Sequence, residues 1–142
     1  MNPGFKLTYS TMFNPPEALH ASFEAALARV KASLGREYPM WIGGGPRAGH
    51  DWFDVRSPID RGWLLARFPR GSAGDVADAV GAAQGASRGW SRMPWRERIA
   101  VLRRAARLIE ERVYDIGAAV ALEVGKNRME SLGEVQETAD LV

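Results

Sequence analysis

The stretch YPMWIGGGPRA, residues 38–48, decides between two folds. Taken as a nucleotide loop, Gly43-Gly44-Gly45-Pro46-Arg47-Ala48 matches the G-x-G-x-x-A form of the dinucleotide fingerprint after a strand-like run. That motif works because backbone N–H groups at a helix N-terminus point at a pyrophosphate. Pro46 has no N–H, and no helical periodicity follows it. The stretch therefore reads as an aromatic and β-branched strand that turns back through glycines, a hairpin rather than a cofactor loop.

Working outward from the hairpin, residues 1–13 lack periodicity and read as an arm. Asn14-Pro15-Pro16-Glu17 then offers an N-cap with proline in the first helical turn. Leu19, Phe23, Leu27, Val30 and Leu34 recur at spacings of three and four, with Gly35 as the stop, which predicts an amphipathic helix. Downstream, short strands are expected around Trp52–Val55 and Trp63–Phe68, parted by the turn-rich Ser57-Pro58-Ile59-Asp60-Arg61-Gly62, giving a small antiparallel sheet.

From Ser72 onward the chain reads as helical. A Ser72 and Asp75 capping box leads into Val76, Val80 and Ala83, where the alanine and glycine content implies close packing. Pro94 starts a second helix with Ile99, Leu102, Ala106 and Ile109 inward and its arginines outward. A third covers Val113–Val124 with Ile116 and Val120 inward and Gly125 at its C-terminal end. Asn127 and Glu130 cap a fourth, on which Met129, Leu132, Val135, Ala139 and Val142 form the apolar stripe. The chain thus divides into 1–37 (arm and helix), 38–71 (hairpin and strands) and 72–142 (helices), an order that few compact domains of this length adopt alone.

Composition narrows the function. With 46% hydrophobic and 25% charged residues the chain is a globular one. No apolar run reaches membrane-spanning length and the N-terminus has no apolar core for a signal peptide, so a cytoplasmic address is expected. There is no cysteine, which excludes disulfides, thiolate metal sites and a cysteine nucleophile within these residues. The arginines between residues 96 and 112 are interspersed with Glu97, Glu110 and Glu111, so they read as a solvated helix face rather than a nucleic-acid patch.

Motif by motif, the polar residues are reduced to one candidate. Gly125-Lys126 lacks the upstream glycine, the following hydroxyl and the preceding strand of a phosphate loop, so Lys126 reads as a cation near a helix C-terminus. His20 and His50 lie far apart with no partner at metal-ligand spacing, and no metal site is expected. Trp41, Trp52, Trp63, Trp90 and Trp95 read as packing and interface aromatics. Glu130, Glu134 and Glu137 occupy the polar side of the last helix, which taken alone is a solvated surface.

Five stretches in register carry a resemblance. Phe53-Asp54-Val55-Arg56-Ser57-Pro58, Ala83-Gln84-Gly85-Ala86 ahead of Trp90, Pro94-Trp95-Arg96-Glu97-Arg98, Arg104-Ala105-Ala106-Arg107-Leu108-Ile109 and Glu123-Val124-Gly125-Lys126 resemble the N-terminal region of aldehyde dehydrogenases. The first helix, together with Glu123-Val124-Gly125-Lys126-Asn127, looks like the pyrroline-5-carboxylate dehydrogenase branch. The resemblance implies an α/β fold of which this chain is a mostly α-helical part with a small antiparallel β-element, its strands in an oligomerisation flap and its helices beside a cofactor domain. It also implies a homo-oligomer that uses NAD or NADP to oxidise a small-molecule aldehyde, by way of a cysteine thiolate, with no nucleic acid or membrane partner.

Neither the nucleophile nor the cofactor turn is expected here, so the chain reads as the N-terminal part of such an enzyme, inactive alone and binding no cofactor. Its last helix reaches Val142 without a stop signal. No catalytic residue is assigned. The resemblance places Glu137 near the ammonium group of glutamate semialdehyde, as a substrate-binding residue. A different class stays open: a non-catalytic helical adaptor or regulatory subunit derived from the same family.

Overall fold

The first helix forms because Pro16 fixes the backbone angle that starts it. The computed structural model describes residues 13–142, so the expected arm lies, apart from Phe13, outside the described residues. Helix α1 spans Glu17–Ala32, with Pro16 at φ −67° as its N-cap and no side-chain cap. Asn14 therefore does not play the capping part its position promised. Leu19, Phe23 and Ala26 are buried on one stripe, with Leu27 and Val30 packed beside them. The helix ends before Leu34, because Ser33 closes it and Gly35, at φ +78°, turns the chain away.

Two small sheets follow. Strands β1 (Arg36–Glu37), β2 (Met40–Ile42), β3 (Gly45–Arg47), β4 (Trp52–Arg56) and β5 (Leu64–Pro69) pair in the orders β1-β5-β4 and β2-β3. The β2–β3 hairpin is closed by Gly43 and Gly44 at φ +64° and +83°, the doubly positive geometry of a tight two-residue turn that glycine adopts without strain. One expectation needs correcting: the β-element is not purely antiparallel. β4 and β5 are antiparallel, but β1 runs parallel to β5, pairing Arg36 with Ala66 and Glu37 with Arg67. Two residues are too few to show any alternation, and the partner lies thirty positions downstream. β1 also falls inside 1–37, so a boundary after residue 37 cuts the three-stranded sheet.

Four helices complete the chain: α2 (Ala73–Arg92), α3 (Trp95–Glu111), α4 (Val113–Val124) and α5 (Arg128–Leu141). Both capping boxes form, Ser72 with Asp75 and Asn127 with Glu130. Gly125, at φ +73°, ends α4 in the left-handed conformation. The core is a three-helix layer in which α4 packs between α1 and α5, centred on Leu19, Phe23, Ala26, Ala118, Ala121 and Leu132.

The face that α4 buries differs from the expected one. Gly117, Ala118, Ala121 and Leu122 are buried, whereas Ile116 and Val120 are only half-buried. Small residues let α4 approach α5 closely: a Cβ on Gly117 would lie 2.8 Å from Cδ2 of Leu132. On α5, Leu132, Val135 and Ala139 are buried as expected, joined by Ser131, while Val142 is exposed.

The outer helices are more open than their sequences implied. α3 rests on α5 with Ile99, Ala106 and Ile109 half-buried, but Leu102 stays 43% exposed. α2 has no buried residue, and its neighbour is β2 of the hairpin. Arg47 ties the two together by donating to Asp75 and Asp78. No helix among the described residues is long and apolar enough to cross a membrane.

Candidate functional site

Helix α5 carries the one residue singled out from the sequence, and its fold sorts the acidic side chains. Glu130 is spent on the cap: its backbone N–H donates to Asn127 Oδ1, and its carboxylate accepts from the Asn127 backbone. Glu134 accepts from Lys126, which bridges the helix start to its second turn. Gln136 donates to Asp140. Glu137 is exposed, and among the described residues it has no partner. Of the three glutamates of this helix, Glu137 is thus the one that the fold leaves without a partner among the described residues.

The alternatives fall away on geometry. Pro46 sits in β3 opposite Trp41, so the glycine run is a hairpin and cradles no phosphate. Gly125-Lys126 is a helix end whose lysine is held by Glu134. His20 faces Arg128, Nδ1 lying 2.6 Å from the guanidinium, which also donates to Glu24 and lies over the Phe23 ring. An arginine only donates, so the His20 ring nitrogen is the acceptor in this contact. His50 is an exposed bend residue. Among the described residues no group of three or more His, Cys, Asp and Glu side chains could hold a metal ion. Trp63 lies beneath Lys31 and Trp52 beneath Arg67, while Trp41, Trp90 and Trp95 are exposed.

One junction went unread in the sequence. Ser57 is 1% exposed, and its hydroxyl donates to the Leu122 carbonyl across 2.7 Å while accepting from the N–H of Ile59. Beside it, Pro58 and Ile59 lie against Gly125. The segment 53–58 and the segment 123–126, two of the stretches that carried the resemblance, thus meet in space and fix where α4 ends and α5 begins. Their co-occurrence was the signal; their contact was not visible.

The sequence profile of the aldehyde dehydrogenase family matches residues 46–142. This chain belongs to the aldehyde dehydrogenase family. Among curated relatives, 1-pyrroline-5-carboxylate dehydrogenase of Staphylococcus saprophyticus is 31% identical over 121 residues, covering 85% of this chain and 24% of the relative. Lactaldehyde dehydrogenase of Escherichia coli is 34% identical over 112 residues, covering 78% of this chain and 23% of the relative. The solved structure of a Thermus 1-pyrroline-5-carboxylate dehydrogenase with bound NAD superposes with a TM-score of 0.88 at 28% identity, over 96% of this chain and 26% of that one.

The aldehyde dehydrogenase chain described here therefore spans about a quarter of the length of these relatives. The structural likeness reaches beyond residues 46–142, because 96% coverage leaves too few residues out for α1 to be excluded. Helix α1 and the β1–β5 pairing are thus part of the shared fold, on the side of the molecule where Arg128 joins α1 to α5.

Proposed function

We propose that this chain is part of an NAD(P)+-dependent aldehyde dehydrogenase of the pyrroline-5-carboxylate type, which oxidises glutamate semialdehyde to glutamate, and that Glu137 binds the substrate's ammonium group. The observation that carries this is the unpaired Glu137 on a fold whose likeness to a pyrroline-5-carboxylate dehydrogenase extends through α1. A carboxylate at that position matches an amino-aldehyde and offers nothing to a plain aliphatic one. The cofactor would supply hydride acceptance in the whole enzyme, and none of the residues described here is assigned to hold it. With no cysteine, these residues have no thiolate to attack an aldehyde. The chain's own contribution is binding and support: Glu137 orients substrate, and α1, α4 and the Ser57 junction hold α5 in place. The working enzyme is read as a cytoplasmic homo-oligomer.

Two measurements test this. Residues 1–142 with glutamate semialdehyde and either nucleotide should give no reduced nicotinamide, and turnover would sink the assignment of the chemistry to residues outside this chain. In the family-length enzyme carrying this sequence, Glu137→Gln should raise KM for glutamate semialdehyde roughly ten-fold, the size of one charge-assisted contact, while oxidation of propionaldehyde is unchanged. Equal effects on both aldehydes would remove Glu137 from the substrate site.

A further inference from the structure

Arg128, the first residue of α5, reaches back across 108 positions of sequence to α1 and meets two side chains one turn apart, His20 and Glu24. Its Nη1 lies 2.6 Å from Nδ1 of His20, and its Nη2 donates to the Glu24 carboxylate. The guanidinium carbon lies 4.8 Å from the centre of the Phe23 ring between them. Helices α1 and α5 each pack on α4, and Arg128 joins them to one another directly. His20 and Arg128 are both half-buried.

The contact depends on one lone pair. A guanidinium only donates, so Nδ1 holds Arg128 while that nitrogen carries no proton. A proton there removes the acceptor and sets a second cation against the first. Glu24 is the anion that can answer both, because it stands four residues after His20, on the same helix face, where a carboxylate pairs with a cation. Glu17, three residues before His20, is the other acid on that face of α1.

The remaining charges near the clasp are engaged or distant. Of the titratable groups on α4, Tyr114, Asp115 and Glu123, the aspartate is held by Arg29. On α5, Glu130 serves the Asn127 cap and Glu134 accepts from Lys126. Glu137 and Asp140 stand more than two turns beyond Arg128.

We propose that His20 is a proton-operated release for the α1–α5 clasp: protonation of its ring expels Arg128 from Nδ1, passes Glu24 to the imidazolium and frees the first turn of α5. The clasp is closed at high pH and opens as the pH falls through the range, about 8 to 5, in which an imidazole ordinarily gains its charge. Ser131, whose N–H donates to the Asn127 carbonyl, is the amide that reports on that turn. The inference rests on how α1 and α5 are joined and not on the role of Glu137, so either can fail alone.

The test is amide exchange of this chain between about pH 8 and pH 5, corrected for the intrinsic pH dependence of exchange. Ser131 should exchange roughly ten-fold faster, after that correction, at the acid end, the size of one charge-assisted hydrogen bond. Val76, at the start of α2, should not change across the same range. His20→Gln keeps an acceptor for Arg128 but takes no proton, and should flatten the Ser131 profile. His50→Gln should leave it as it is. Nitrogen NMR of the two imidazoles gives a second reading that needs no variant: at the alkaline end the form protonated on Nδ1 should be scarcer at His20 than at the exposed His50. The proposal is overturned if Ser131 is already unprotected at the alkaline end, if its profile is flat, or if it accelerates together with Val76. It is overturned equally if His20→Gln keeps the acid step, if His50→Gln removes it, or if the two rings show the same share of the Nδ1-protonated form.

Discussion

The Ser57 hydroxyl donates to the Leu122 carbonyl at 2.7 Å, joining the end of β4 to the last turn of α4 across 65 positions of sequence. The carbonyls of a last helical turn lack intrahelical donors, so this one is satisfied by a side chain from the sheet. Ser57→Ala leaves a buried acceptor unmade and removes the partner of the Ile59 N–H. Urea unfolding should show a loss of about 1–3 kcal/mol. A loss below a few tenths would mean that the junction is held by packing alone.

Gly125 combines a left-handed backbone, φ +73°, with close neighbours: an added Cβ would sit 3.4 Å from Cγ of Pro58. Gly125→Ala should cost about 1–2 kcal/mol, chiefly from the backbone. Gly125→Asn should cost less, since asparagine tolerates that conformation better. Thermal melts of the two variants check the order.

Gly117 and Leu132 form a second coupled pair, with a would-be Cβ at 2.8 Å from Cδ2 of a leucine that is 1% exposed. Gly117→Ala gains about 1 kcal/mol of helix propensity but overpacks the core, which costs about 1–3 kcal/mol. The net effect should be a destabilisation on the order of 1 kcal/mol. In a Leu132→Ala background the clash is gone, and the same substitution should stabilise. A double-mutant cycle in urea reads the reversal of sign directly.

Acid should loosen the start of α2. The Asp75 carboxylate is lowered from 3.8 to about 2 by hydrogen bonds from the Ser72 N–H and hydroxyl, then by Arg47. Because the folded value is depressed, this contribution is fully present above the unfolded value and is lost as the pH falls from about 4 through about 2. Amide exchange at Val76, whose N–H is bonded to the Ser72 carbonyl, should accelerate across that window, and Asp75→Asn should flatten the dependence. An unchanged profile in Asp75→Asn would assign the acid sensitivity to another group.

Local chemistry made much of the fold legible. Pro46 ruled out the nucleotide loop, and the structure shows the hairpin, because a missing N–H and a glycine pair act within a few residues. Ser72 with Asp75, Asn127 with Glu130 and the stop at Gly125 are likewise short-range and came out as expected. Periodicity did less well on α4. Ile116 and Val120 are the larger apolar residues, yet burial went to Gly117, Ala118 and Ala121, since close helix approach selects small side chains that a hydrophobicity pattern undervalues. The alanine-rich α2 misled in the other direction, because its composition implied a close neighbour and the described residues bury none of its side chains.

The site divides along the same line. The three glutamates of α5 could be named from the sequence and ranked only by resemblance. Which of them is free depended on Asn127 engaging Glu130 and Lys126 reaching Glu134, and the second is a contact across eight positions.

Sequence by itself determined where α2 and α5 start and where α4 stops, that the glycine run after Ile42 is a turn, and, through five short stretches in register, the family. Only the tertiary structure decided that β1 lies parallel to β5, that α4 buries its smallest residues, that Ser57 locks onto Leu122 and that Arg98 is left without an acceptor. The reason is range: caps and turns are settled by atoms within four or five residues of one another, whereas strand partnership, helix approach and the pairing of charges depend on groups brought together from distant parts of the chain.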